Sequence, residues 1–458
     1  MADAVAPRTE FVIRHARVVT MDEALGDLPD GDVHVRDGVI VAVGPALRVA
    51  AGVAEIDGRS MAALPGLIDS HWHMWTSLYR GVAGSTPERG YLQLRNRYGH
   101  LVTATEVYHC VRASLAEALN AGITTVHDWA HNMNSPQHAD ETVRAHRSIP
   151  LRTRFSYGAP HWLAADETMD LADVARVQRE HFAAEAGGLL NMGVAMRGPE
   201  FDGSTPAVYR REWEAARALG LPITVHVAEY HDCARWQSIR KLHDDGLLGP
   251  DVQLVHVVHS TPAEREMIAS TRSHVSASPP VEAMAGMGMP PLGELLAAGI
   301  LVSLSIDVTA TNNAADMFSL MRTTRALERY RAHQQASYVA KDLVDVRRTP
   351  GITHRKLLEM ITIDAARELG LGHLTGSLTP GKRADVILVR MDDLNMNASS
   401  AADPVMLMVN SAQPSNVDTV VVDGRILKRG GRLTTLDPRE IARDSANALD
   451  NLLARVPG

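Results

Sequence analysis

Between residues 64 and 307 the chain repeats one alternation, an apolar run of strand length followed by an amphipathic segment of helix length. The apolar runs fall at 64–73, 123–130, 152–158, 190–198, 222–229, 252–259, 274–279 and 301–307. Helix-like segments lie between them, for example at 105–120, 169–186, 207–219 and 261–270. Gly122, Gly220 and Gly299 each stand just before a run, where a helix C-cap glycine is expected. Eight strands alternating with helices over roughly 250 residues predict a parallel (β/α)8 TIM barrel, an α/β fold. The competing arrangement, an open doubly wound sheet, lacks support because no Gly-x-Gly-x-x-Gly loop follows the first strand.

The flanks read differently. Residues 10–60 are short strands and turns, with Asp37-Gly38 as a hairpin signal, and β character returns after Gly376 with a second signal at Asp423-Gly424. The expected domains are residues 1–63 and 376–458, which together build a small composite β-sandwich, and residues 64–375, which form the barrel. Residues 315–370 read as further helices, and 438–456 as an amphipathic terminal helix. The net charge of −8 gives no footing for nucleic acid or anionic membrane. No stretch is long and apolar enough to span a bilayer, and no secretory leader is evident. Cys110 and Cys233 are the only cysteines, so no disulfide framework is expected and the reading is a cytoplasmic enzyme of a small molecule.

In such a barrel the chemistry sits where strands end. The first run ends Asp69-Ser70-His71-Trp72-His73, and residues two apart on a strand point to the same side. His71 and His73 therefore project together. The fifth run carries His226 with Glu229 just beyond it, the sixth His256 and His259, and the eighth ends at Asp307. His256 and His259 differ by three positions and cannot both face inward on a regular strand, so His259 is expected to be structural. Each group alone has an ordinary explanation: a core histidine, a carboxylate at a helix N-terminus, an N-cap aspartate. Their coincidence at four strand ends points instead to a site for a divalent ion with three imidazoles, a carboxylate and an open position.

The stretches Pro65-Gly66-Leu67-Ile68-Asp69-Ser70-His71-Trp72-His73, His226-Val227-Ala228-Glu229 and Pro380-Gly381-Lys382-Arg383-Ala384-Asp385 resemble signatures of the amidohydrolase superfamily. The resemblance covers nearly the whole chain and is to the mononuclear branch that contains cytosine deaminase, S-adenosylhomocysteine deaminase-like and triazine hydrolase enzymes. It implies that His71, His73, His226 and Asp307 hold one divalent ion, zinc in preference to iron, and that Glu229, His256 and Asp307 are catalytic. Binuclear relatives use a lysine at the end of strand four, whereas no lysine precedes Lys241 here. Strand eight reads Ile306-Asp307-Val308 where relatives commonly have Thr-Asp-Gly, and strand seven ends Ser278-Pro279-Pro280, which leaves the substrate open. Trp75, His127, Arg197 and Glu282 are candidates to face it, as is His131.

The implied reaction is attack of activated water on an amidine-like carbon of a small nitrogen heterocycle, with release of ammonia. Two alternatives stand beside it: hydrolysis of an exocyclic C–N or C–S bond in a urea, carbamate or triazine, and a catalytically silent metal-binding homologue. The family also implies a homo-oligomer.

Overall fold

The computed structural model describes residues 7–84, 86–183, 188–200, 203–312, 314–335, 351–397, 399 and 401–456. Eight parallel strands form one sheet in sequential order: β1 (Leu67–Trp72), β2 (Ile123–Ala130), β3 (Arg152–Gly158), β4 (Leu190–Met196), β5 (Ile223–Val227), β6 (Val252–His256), β7 (His274–Ala277) and β8 (Val302–Leu304). The sheet closes where Asp307 N–H donates to the His71 carbonyl at 2.9 Å and His73 N–H to the Asp307 carbonyl at 2.8 Å. Sequential parallel pairing with a helix in each crossover is what the alternation demanded, since parallel neighbours cannot be joined by a tight turn.

A second, mixed sheet of nine strands comes from both ends of the chain. Phe11–Val18, Leu28–Arg36, Val39–Gly44, Ala54–Asp57 and Met61–Pro65 come from the first; Val386–Arg390, Val417–Val422, Arg425–Arg429 and Arg432–Leu433 come from the second. The seam is the antiparallel pair Met61–Pro65 with Val386–Arg390, in which Leu64 faces Ile387. This sheet has its own apolar core, including Phe11, Ile13, Val33, Ile40, Val386 and Val421. Both hairpin signals form turns with left-handed φ, at +53° and +77° for Asp37-Gly38 and +53° and +76° for Asp423-Gly424. The two turns abut, so a Cβ on Gly424 would come within 2.5 Å of the Gly38 Cα.

Several expected elements differ in extent. The first run is split at Gly66, so Leu64 and Pro65 belong to the outer sheet and the barrel begins at Leu67. A Cβ at Gly66 would lie 2.1 Å from the Thr124 side chain, so only glycine lets the chain cross from sheet to barrel at this point. The sixth run stops at His256, where the backbone turns left-handed, and the eighth retains three residues, Val302–Leu304. The helix expected over 169–186 is α-helical at Leu171–Val177 and continues as a π-turn at Gln178–Phe182, while residues 184–187 lie outside the described residues, as does the 336–350 part of the expected helical stretch. The terminal helix is present at Pro438–Ala454, capped by Asp437, whose side chain accepts from Arg439 N–H and Glu440 N–H.

Candidate active site

The C-terminal ends of β1, β5, β6 and the loop after β8 bring His71, His73, His226, His256 and Asp307 together. His71 Nε2 lies 3.3 Å from His226 Nε2 and 3.3 Å from Asp307 Oδ1. His73 Nε2 is 3.6 Å from Asp307 Oδ1, and His256 Nε2 is 3.9 Å from Asp307 Oδ2. These are longer than good hydrogen bonds yet short for unrelated groups. A tetrahedral ion with bonds of about 2.0–2.1 Å separates its donor atoms by about 3.3–3.4 Å; two overlapping sets, His71–His73–Asp307 and His71–His226–His256, each gather their donor atoms within 4.8 Å of one another and could hold an ion.

The local backbone explains the convergence. Non-glycine residues at strand ends adopt left-handed φ: Ala228 at +52°, His256 at +75°, Val257 at +52° and Asp307 at +61°. On a regular strand His226 and Glu229 would face opposite ways. The left-handed Ala228 breaks the alternation, and both residues line one cavity. Such conformations cost roughly 1–3 kcal/mol each and persist only where surrounding bonds fix them. Here Ala228 N–H donates to Glu200 Oε1 and Asp307 N–H to the His71 carbonyl.

Ring orientation is also set. His73 Nδ1 lies 3.3 Å from the Trp129 carbonyl, which can only accept, so Nδ1 carries the proton and Nε2 presents a lone pair. The Trp129 ring lies against His226, with centroids 3.9 Å apart. Burial pushes His71, His73 and His226 well below the ordinary imidazole range, which leaves them neutral as ion-binding ligands must be. His256 behaves differently. Burial lowers it, but the bond to Glu282 and the charges of Asp307 and Glu229 outweigh burial and raise it to about 9. Its Nδ1 is 3.0 Å from Glu282 Oε1, and Glu282 in turn accepts from Ser278 N–H at 2.8 Å. Burial raises Asp307, against the opposing charges of His256 and His73.

The residues open into a cavity of ≈ 580 Å³ whose walls include Glu229, Arg95, Tyr91, Tyr230, Val281 and Met287. That is the size range of small-molecule sites. Trp75 is buried beside Tyr79 and donates its indole N–H to His131 Nδ1 at 3.4 Å, and it does not line the cavity. His127 lies inside the barrel between the Ser70 carbonyl and Ser156 Oγ, at 2.8 and 2.7 Å. Arg197 donates to the carbonyls of Leu163 and Ala164, and its guanidinium is turned into the loop after β3. Glu282 stands behind His256. His259, expected to be structural, bonds the Met287 carbonyl through Nε2 at 2.6 Å. Asp69 is fully buried, accepts from Ile306 N–H at 2.7 Å, and ties β1 to the end of β8 beneath the site. Tyr91 and Arg95, on a helix (Tyr91–Tyr98) inserted between β1 and β2, line the cavity without any motif to announce them.

A histidine–carboxylate constellation buried at the C-terminal mouth of a (β/α)8 barrel defines a class, the metal-dependent hydrolases. The chain belongs to the amidohydrolase family, whose profile matches residues 62–427. It is 28% identical to a 5'-deoxyadenosine deaminase of Methanosarcina mazei over 98% of this chain and 99% of that one. It is 30% identical to a 5-methylthioadenosine/S-adenosylhomocysteine deaminase of Moorella thermoacetica over 90% and 92%. Among solved structures it resembles a zinc complex of atrazine chlorohydrolase from Arthrobacter aurescens (TM-score 0.83, 23% identity, 96% of this chain and 100% of that one). It also resembles an adenosine deaminase from Xanthomonas campestris with bound zinc (TM-score 0.84, 22% identity, 97% and 99%). These two likenesses are of fold.

Proposed function

We propose that the chain is an aminohydrolase acting on an amino-substituted nitrogen heterocycle of nucleoside type, with one divalent ion per chain, zinc by preference. The observation that carries this reading is the joint placement of Asp307, His256 and Glu229 around one cavity next to the neutral imidazoles of His71, His73 and His226. Full-length similarity to nucleoside deaminases supports the substrate class. An ion held by His71, His73, His226 and Asp307 supplies Lewis acidity that brings the pKa of water from 15.7 toward about 7.

The chain's own groups do the rest. Asp307 takes a proton from the attacking water as it adds to the amidine-like carbon. His256, charged through its bond to Glu282, donates from Nε2 to the oxygen on which charge accumulates. Glu229 delivers a proton to the departing nitrogen. The C–N bond breaks and ammonia leaves; as the carbonyl forms, the second water proton restores Glu229, and the proton held by Asp307 passes to the ring nitrogen of the former amidine. The test is continuous ammonia detection with metal-replete protein across 5'-deoxyadenosine, 5-methylthioadenosine, S-adenosylhomocysteine, adenosine, cytosine and pterins. Ammonia from at least one nucleoside is expected; ammonia from none of them overturns the reading.

A further inference from the structure

Glu229 reaches the cavity because the backbone just before it leaves strand geometry at Ala228 (φ +52°). A non-glycine residue in that region is strained and stays there only where neighbouring bonds hold it. Both polar groups of the Ala228 backbone are held. Its carbonyl accepts from His259 N–H at 2.9 Å, and its N–H donates to Glu200 Oε1 at 2.5 Å.

Glu200 arrives from the turn after β4. Gly198 lets this turn press on the end of β5, since a Cβ there would lie 2.8 Å from the His226 carbonyl oxygen. Glu200 is buried and is not among the walls of the large cavity. The oxygen that holds Ala228 also accepts from Ser238 Oγ, at the start of a short helix (Ser238–Asp244). Between these two anchors the chain folds as a 3-10 turn (His231–Arg235). One carboxylate oxygen therefore ties both ends of the segment that brings Glu229 and Tyr230 to the cavity. Burying a carboxylate is costly unless donors meet it, and the donors that meet this one belong to that segment.

We infer that Glu200 is a positioning residue for Glu229, setting where its carboxyl stands when the departing nitrogen takes a proton. This rests on the aminohydrolase reading. Without the Glu200 bond, Ala228 relaxes toward extended backbone, and the alternation of a regular strand then turns Glu229 away from the face that carries His226. The loss falls on proton delivery. The imidazoles are spared, because His71 and His73 lie on another strand and His226 precedes the turn at Ala228.

The test is a double-mutant cycle on the nucleoside that releases ammonia fastest, comparing the parent, Glu200→Ala, Glu229→Gln and both changes together. Glu200→Ala is expected to lower kcat by ~30-fold or more with KM changed by less than about threefold, the pattern of an interaction lost only in the transition state. Glu229→Gln is expected to lower kcat by ~100-fold or more. The double variant is expected within about threefold of Glu229→Gln alone, because Glu200 then has no acid to place. Glu200→Gln keeps an acceptor oxygen for Ala228 and Ser238 and is expected to lose less than about tenfold. Bound metal in Glu200→Ala, by elemental analysis, is expected to equal the parent's. Glu200→Asp, which draws the carboxyl back by one methylene, takes the place of Glu200→Ala in the cycle if that variant does not fold. Losses that multiply in the double variant, a loss lying in KM, lost metal, or no rescue by Glu200→Gln would each overturn the positioning role while the parent's ammonia still upheld the aminohydrolase reading. No ammonia from any nucleoside would sink both.

Discussion

Asp307 lies within 3.9 Å of three imidazoles, and in the proposed reaction this one carboxylate both helps to hold an ion and takes a proton. Asp307→Asn keeps the shape and removes both capacities. We expect kcat to fall at least 100-fold, in line with the 10²–10⁴ typical of a lost acid–base group, with far-ultraviolet circular dichroism unchanged; a variant within tenfold of the parent rate would refute the assignment. Elemental analysis is expected to show one divalent ion per parent chain and less in the variant. A second residue, Glu368, sits at the opposite end of the barrel, bonded to Gln253 Nε2 at 2.7 Å, and burial pushes its pKa up to about 8. Between its ordinary value of 4.5 and about 8 the unfolded chain binds fewer protons than the folded one, so this group makes stability fall as pH rises through that window. Glu368→Gln should leave Tm nearly unchanged at pH 5 and raise it by about 2–4 °C at pH 8.5, the shift that ~1 kcal/mol gives a large domain. Scanning calorimetry at the two pH values decides; a gain that is larger at pH 5 would contradict the buried-acid argument.

At the level of single elements, Gly66 is where the outer sheet hands the chain to β1. Gly66→Ala forces a methyl against Thr124 and is expected to cost about 1–3 kcal/mol as overpacking. Thermal denaturation measures this, and Thr124→Ala in the same chain should restore part of the loss, whereas independent effects of the two changes would show the contact is not the cause. The same junction shows what was legible in the sequence. Eight apolar runs gave the barrel, because burial on both faces of a parallel strand leaves a continuous apolar signature. The split at Gly66 was not legible, because a strand that changes sheets keeps the same pattern on both sides of the break. The gathering of His71, His73, His226 and Asp307 at one mouth was readable because strand ends are where barrels keep their chemistry. Arg95 and Tyr91 were not, since they reach the cavity from an inserted helix whose spacing encodes no destination. Glu282 was readable as a residue near a strand end, but its contact with His256 depends on a three-dimensional turn after β7.

Across the whole molecule, the outer sheet is one structure drawn from two distant stretches. Arg152 of β3 and Asp385, at 2.9 Å and both almost fully buried, pin that sheet to the barrel. Removing residues 1–55 strips the strands at one end of the sheet, Phe11–Val18 through Val39–Gly44, and leaves Met61–Pro65 as an edge beside an incomplete core. Aggregation is expected by light scattering, because unpaired edges and apolar faces become exposed; a soluble truncation with parental activity would show that the sheet does not need its first half. The seam has a consequence in time as well. Leu64 and Ile387 face each other across more than 300 residues of chain. At about 5–20 residues per second, a ribosome needs on the order of 15–65 s after making Met61–Pro65 to deliver its partner Val386–Arg390. Throughout that interval the N-terminal strands can pair with one another, but Met61–Pro65 keeps one edge without its mate, an open edge that must be shielded during synthesis.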